Sequence, residues 1–228
     1  MRKLNENMDL IKDYELFAKS NGVNPLVLDD YRRSQGYINP TIIEERTRNI
    51  TAMDVFSKLL MDNIIFLGDT FNDEMANVIV SQLLWLQATK PTEEINMYIN
   101  SPGGWVSSGL AIKDTMDIIV NDVSTTCVGM AASMGAFILA NGTKGKRYSM
   151  PHSKILFHNL SAGTQGNISD IRIAVEEMER TNDELQKIVA ENTGRSLDEV
   201  AKALDRDNWM TPDEALEFGA IDKIIRRK

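Results

Sequence analysis

The chain holds 228 residues, 43% of them hydrophobic, with 33 acidic side chains against 25 basic ones and a formal net charge of −8. That length supports one large domain or a domain with an appendage, and the acidic balance argues against a nucleic-acid surface. A single cysteine, Cys127, excludes an internal disulfide and fits a reducing compartment, and two histidines without a Cys/His cluster argue against a zinc site.

Residues 1–36 read as a separate N-terminal extension. Within it, 9–20 can form a short amphipathic helix that Asn21-Gly22 ends. Tyr37-Ile-Asn-Pro-Thr-Ile-Ile43 is apolar but interrupted by Pro40, which predicts an extended arm. The opening Met1-Arg-Lys-Leu-Asn-Glu-Asn lacks the apolar core of a secretory signal. The longest nearly apolar run, 127–140, is too short to span a bilayer. A soluble cytoplasmic protein with no membrane partner is the expectation.

From Met53 onward strands and helices alternate. Strand-like runs at 64–67, 95–99, 123–128 and 155–157 are followed by helical patterns. Asn72 or Asp73 caps a helix with Met75, Ile79, Leu83 and Leu86 on one face. Residues 107–120 form the next, with Leu110, Ile112, Met116 and Ile119 apolar. Ser133 opens a third. A long helix begins near Ile168, with Ile171, Val175, Met178 and Leu185 on one side, and helices at 197–204 and 212–218 precede a strand at 221–225. This alternation predicts an α/β fold with a parallel sheet covered by helices. Ligands in such folds gather where strands deliver their carboxyl ends.

The segment Gly129-Met-Ala-Ala-Ser133-Met-Gly135-Ala sets one hydroxyl among nearly side-chain-free neighbours, between a strand and a helix. A serine on such a turn is lifted clear of the backbone, and the next amide, that of Met134, aims at whatever the hydroxyl attacks. The alternative is a plain serine in an Ala/Gly-rich helix start. Serine needs a base, and His158, at a strand end, suits that better than His152 in the polar turn Pro-His-Ser-Lys; a structural histidine is the alternative. Asp207, in a loop between helical stretches, is chosen as the orienting acid over an ordinary helix-terminal aspartate. Asn100-Ser-Pro-Gly103-Gly104 follows a strand, and an amide from this loop with that of Met134 can hold an oxyanion. A double glycine alone is more often a turn. Cys127, in an apolar strand, reads as packing. No Gly-rich phosphate loop with its lysine is present, so the chain itself is not expected to bind ATP.

Together these segments resemble the ClpP family of serine peptidases, from about Tyr37 to the C-terminus. The shared motifs are Tyr-Ile-Asn-Ser-Pro-Gly-Gly (98–104), Asp-Thr-Met (114–116), Gly-Met-Ala-Ala-Ser-Met-Gly-Ala (129–136), Gly-Lys-Arg (145–147), His158 after an apolar strand, and Asp-Arg-Asp-Asn-Trp-Met-Thr (205–211). The resemblance implies Ser133 as nucleophile, His158 as base and Asp207 as acid. It implies Gly104 and Met134 as oxyanion donors and Arg206 in ring–ring contact. It further implies a crotonase-like β/α superhelix with a protruding strand–helix handle, here about 161–192, in a peptidase domain spanning 37–228. Two seven-membered rings of identical subunits would enclose a chamber for unfolded polypeptides, fed by an AAA+ unfoldase of the ClpX, ClpA or ClpC type. That partner spends the ATP, and no metal or organic cofactor is expected.

Three departures stand out. The family's His-Gln-Pro and Gly-Gly pair are replaced by His158-Asn-Leu-Ser-Ala-Gly163, Trp105 stands where a smaller residue is usual, and the N-terminal extension is long. The altered loop keeps open a noncatalytic or weakly active ring subunit that assembles with an active paralogue. A crotonase-like thioester enzyme would use the same amides without the Ser/His/Asp set. An α/β-hydrolase esterase ranks lower, because there the acid usually precedes the histidine.

Overall fold

The computed structural model describes residues 41–46 and 49–226, with side chains from Asp54 onward. The expectations for residues 1–40, including the helix at 9–20, lie outside the described residues. The chain divides into two units, one ending at Val55 and one beginning at Phe56. In the first, β1 (Thr41–Arg46) and β2 (Asn49–Asp54) form an antiparallel pair, with Thr41 opposite Asp54 and Arg46 opposite Asn49. Of the expected extended arm at 37–43, residues 41–43 lie in β1, and 37–40 lie outside the described residues.

The second unit is built on seven strands. After α1 (Val55–Met61) come β3 (Ile64–Leu67), α2 (Asp73–Thr89), β4 (Ile95–Ser101), α3 (Val106–Ile118), β5 (Val123–Ala132) and α4 (Met134–Ala140). Then follow β6 (Arg147–Ser149), β7 (Lys154–Phe157), α5 (Ile168–Thr193), α6 (Leu197–Leu204), β8 (Asn208–Met210), α7 (Pro212–Phe218) and β9 (Lys223–Ile224). The main path runs β3-β4-β5-β6-β9, all parallel, while β7 joins β5 in parallel and β8 joins β7 antiparallel. The α/β alternation is as expected. Strands β2, β6 and β8 and helix α1 were not anticipated; β6 and β8, of three residues each, carry no readable period.

Strand β5 serves two ladders. Thr125, Thr126 and Cys127 pair with β6, whereas Met130, Ala131 and Ala132 pair with β7. Against β4 the register skips: Ile99 faces Cys127, but Ser101 faces Ala131. Gly129 sits at the break with φ 83°, a left-handed value that glycine adopts without the Cβ penalty. The strand therefore bends and continues for ten residues, rather than ending at Val128 as its composition suggests.

Helix ends follow their capping chemistry. Asn72, not Asp73, caps α2, its Oδ1 accepting from Met75 N–H at 2.8 Å. Ser196 with Glu199 and Thr211 with Glu214 make capping boxes at α6 and α7. Helix α2 buries Ala76, Ile79, Leu83 and Leu86, with Met75 only half-buried. Strand residues Ile65, Leu67, Ile95, Met97 and Ile99 supply the facing core. Helix α5 differs from its periodicity. It buries only Leu185, Ile188 and Val189, and Ile168 and Ile173 are 72% and 67% exposed. Its apolar N-terminal stripe finds no cover among the described residues.

Candidate active site

Ser133 follows the last residue of β5 and caps α4. Its backbone has φ 52° and ψ −126°, one of two non-glycine residues with positive φ among those described. Such a conformation costs on the order of 1–3 kcal/mol and persists only when its surroundings hold it. Here Ser133 N–H donates to Leu156 O at 2.9 Å, and its carbonyl accepts from Ala136 N–H at 2.8 Å and Phe137 N–H at 3.2 Å. The hydroxyl makes no capping bond. The turn thus anchors the main chain and leaves the Oγ uncommitted.

The glycine loop lies against this turn. A Cβ on Gly103 would fall 2.5 Å from Ser133 Cβ and 2.7 Å from Ala132 O, so only glycine lets the two segments touch. Ser101, buried at the end of β4, ties the loop down: its Oγ donates to Asp69 O at 2.5 Å and accepts from Gly103 N–H at 3.1 Å. Phe71 bridges the other side, donating to Gly103 O and accepting from Trp105 N–H, each at 2.9 Å. The N–H groups of Gly104 and Met134 find no main-chain acceptor among the described residues. Two unspent amides therefore lie in the two segments that meet at the serine, and nothing local announces Phe71 as the partner of the glycine loop. Trp105 is 61% exposed, so its indole stands in solvent rather than packing.

Register brings the base and acid to the same rim. Ala132 pairs with Leu156, so Ser133 and His158 follow neighbouring parallel strands at their carboxyl ends. Phe157 pairs with Asn208 across the antiparallel β7–β8 ladder, so Asp207 enters opposite His158. Proximity stops short of hydrogen bonding. No hydrogen bond joins Ser133, His158 and Asp207 among the described residues. Instead His158 Nδ1 lies 2.6 Å from Asn159 O. Asp207 is exposed and lines a cleft of about 530 Å³ with Arg195, Lys202 and Arg206. The Arg206 side chain is 93% exposed, 3.7 Å from Asp205. His152 is exposed in its turn, as expected.

Cys127 is fully buried, and desolvation pushes its thiol up to about 11, partly offset by hydrogen bonding with Ser153 and Ser149. Thiolate is scarce under those conditions, in keeping with a packing role. Among the described residues no helix is long and apolar enough to cross a membrane.

A model of the Clp protease family matches residues 46–228. A Porphyromonas gingivalis (strain ATCC BAA-308 / W83) protein named ATP-dependent Clp protease proteolytic subunit is 51% identical over 207 residues, 90% of this chain and 93% of its own length. Proteins of the same name from Bacteroides fragilis (strain YCH46) and Bacteroides thetaiotaomicron are 49% and 48% identical over 218 residues, each covering 95% of this chain and 99% of the relative. With a strained serine turn, two open amides and a histidine delivered to one rim, and with relatives matched along nearly their whole length, the chain belongs to the Clp protease family.

Proposed function

We propose that the chain is the proteolytic subunit of an ATP-dependent Clp protease, a serine endopeptidase that hydrolyses unfolded polypeptides. The observation that carries this reading is the Ser133 turn, with its left-handed φ and uncommitted hydroxyl, packed against a glycine loop whose Gly104 amide, like that of Met134, has no main-chain acceptor. In the reaction, Ser133 Oγ attacks the scissile carbonyl while His158 Nε2 takes its proton. The carbonyl oxygen becomes an oxyanion and accepts from Gly104 and Met134 N–H, usually the largest single contribution to catalysis. His158 then protonates the departing amine. A water, deprotonated by the same imidazole, releases the acyl group. Asp207 orients the imidazole and stabilises its cation when the two come into contact. The chain needs no metal or organic cofactor for these steps.

The relatives' names include ATP dependence, and no phosphate-binding loop stands in this sequence. The ATP is spent by an AAA+ unfoldase docked on a chamber of two stacked seven-membered rings in the cytoplasm. The long helix α5, exposed along most of its length, supports an assembling role for the 161–192 segment, and Arg206 a role between rings. Within this reading the 37–228 region acts as the peptidase and 1–36 as an extension. A second reading, a structural ring subunit, is favoured by the absence of hydrogen bonds among Ser133, His158 and Asp207.

A fluorophosphonate probe on the assembled protein separates the two. The peptidase reading expects labelling at Ser133, with Ser133→Ala losing both the label and about 10⁴–10⁶ in peptide turnover. No label on intact rings, or turnover that survives in Ser133→Ala, refutes it.

A further inference from the structure

Gly104 has an open edge. Its isolated bridge with Phe71 is parallel, and the two bonds that make it, Phe71 N–H to Gly103 O and Trp105 N–H to Phe71 O, use groups of the residues on either side of Gly104. In a parallel bridge of that kind the middle residue turns its own N–H and C=O to the opposite side. Neither group of Gly104 has a main-chain partner among the described residues. The next residue, Trp105, is pinned through its main chain. Its N–H is spent on Phe71, its carbonyl accepts from Gly109 N–H at 3.1 Å, and its backbone is extended at φ −65° and ψ 129°. Its side chain is not pinned. The indole is the most exposed of the three tryptophans, 61% against 42% for Trp85 and 50% for Trp209. It bonds to no helix amide, and no aromatic ring or cation among the described residues stacks on it.

An extended peptide can add to such an edge. When the acyl carbonyl of a substrate accepts from Gly104 N–H, the N–H of the same acyl residue can donate to Gly104 O. Antiparallel pairing is the arrangement in which one residue exchanges both bonds. The residue before the acyl residue then lies across from Trp105 as a non-hydrogen-bonded pair. That is the closer kind of pair, with Cβ atoms about 4.5–5.5 Å apart on one face. The position suits a residue whose N–H is already spent elsewhere, as that of Trp105 is. We propose that Trp105 is a specificity-determining residue: its indole walls the subsite for the side chain that precedes the acyl residue, and it selects apolar side chains there. The inference rests on the peptidase reading. An indole is a broad, stiff apolar surface, and a leucine or phenylalanine laid against it removes apolar area of both from water. Glycine has nothing to bury there, and a carboxylate side chain would lose hydration without gaining a partner.

The test uses assembled full-length protein and peptidyl-coumarin substrates that share one acyl residue and differ only in the residue before it. The readout is a ratio of kcat/KM values, which a loss of folded protein does not move. Wild type should favour leucine or phenylalanine over glycine at that place by about 5- to 30-fold. In Trp105→Ala the ratio should fall below about threefold, whereas Trp105→Phe keeps most of it. Trp105→Glu should turn the preference towards lysine, as an opposite charge across the pair does. A second peptide set, varied two residues before the acyl residue, points its changed side chain to the other face, so its ratios should be the same in wild type and Trp105→Ala. A wild type without the apolar preference overturns the proposal, as does a Trp105→Ala protein that retains it or one whose preference changes in the second peptide set. A fall in light-scattering mass with the ratio unchanged assigns the indole to a subunit contact and overturns it too. Failure of the peptidase reading looks different: no peptide is cleaved, the glycine one included, and Ser133 takes no fluorophosphonate label, in which case this inference falls with it.

Discussion

Gly104 is where fold and chemistry constrain the same atom most tightly, and Gly104→Ala tests both. A Cβ there would lie 2.3 Å from Phe71 O, 2.6 Å from Phe71 N and 2.9 Å from Phe71 Cα, all of them backbone atoms that cannot rotate away. The residue also has φ 152°, where L side chains are strained. The alanine variant must therefore pull away from Phe71, weakening the two 2.9 Å bonds from Phe71 N–H to Gly103 O and from Trp105 N–H to Phe71 O. Those bonds are worth together about 1–3 kcal/mol, and a forced conformation adds on the order of 1–3 kcal/mol. For a chain of this length that corresponds to a fall in Tm of roughly 4–24 °C. The same displacement carries the Gly104 N–H off the oxyanion. Loss of one such donor costs about 10²–10³ in kcat with little change in KM, because the bond strengthens mainly in the transition state. Calorimetry and fluorogenic-peptide kinetics, run well below the variant's Tm, read the two effects separately. Gly163→Ala serves as the control, since no heavy atom lies within 4 Å of a Cβ built there. A Gly104→Ala protein with lowered Tm but kcat within about threefold of wild type would remove this amide from the mechanism.

Arg147, 3% exposed, binds Asp222 through Nε at 2.9 Å and Nη2 at 2.6 Å, and its Nη1 donates to Asn192 O at 2.8 Å and Ala140 O at 3.2 Å. Arg147→Met strands the carboxylate and should cost about 3–5 kcal/mol, seen by calorimetry as a Tm drop of roughly 6–20 °C; a drop under about 2 °C refutes the pair's structural weight. Burial pushes the Asp222 carboxyl up, but Arg147 and the amides of Arg147 and Gly145 outweigh it and hold it below the usual carboxylate range. A depressed folded-state value stabilises above the unfolded one, so this contribution is complete above about pH 4 and fades as pH falls further. Asp222→Asn should flatten that acid-side slope of Tm; an unchanged slope assigns it to other groups. Arg206, nearly all in solvent, contributes little within the chain. Arg206→Ala should leave calorimetric stability of the subunit unchanged and shift light-scattering mass from double towards single rings, and an unchanged mass removes it from ring contact.

What could be read from the chain was local. The cap at Asn72 and the small residues around Ser133 act within a few positions, and each stands where its pattern placed it. The serine turn was legible for the same reason: a left-handed φ at a non-glycine residue needs neighbours with almost no side chain, and composition records that demand. Non-local features were not legible. Nothing near Gly104 announces Phe71 as its bridge, thirty-three positions earlier, and nothing near His158 announces that Asn182 and Gln186 reach its loop. Strand β8 was read as loop because three residues carry no alternation, although its pairing with β7 decides where Asp207 arrives. The stripe on α5 was read as apolar, and the structure leaves part of it open: Val175 is 41% exposed, since periodicity identifies a face but not what packs on it.

The grouping of the candidate residues follows from strand direction rather than from any one motif. Parallel neighbours lie about 4.8 Å apart and advance about 3.3 Å per residue. With Ala132 facing Leu156, His158 therefore begins about 6 Å from Ser133, within reach of an imidazole. That pairing exists only because β5 turns at Gly129, leaves β6 and takes β7 as its partner for three further residues. Had the strand ended at Val128, the serine would have lacked the Leu156 carbonyl that holds its amide. The acid depends on the one antiparallel ladder in this sheet. A parallel β8 would have brought Asp207 to the opposite end of β7, whereas the antiparallel register sets it across from His158. A slip of one residue in either ladder turns each side chain to the other face. The bend at Gly129 and the reversal at β8 are thus as necessary to the site as the hydroxyl itself.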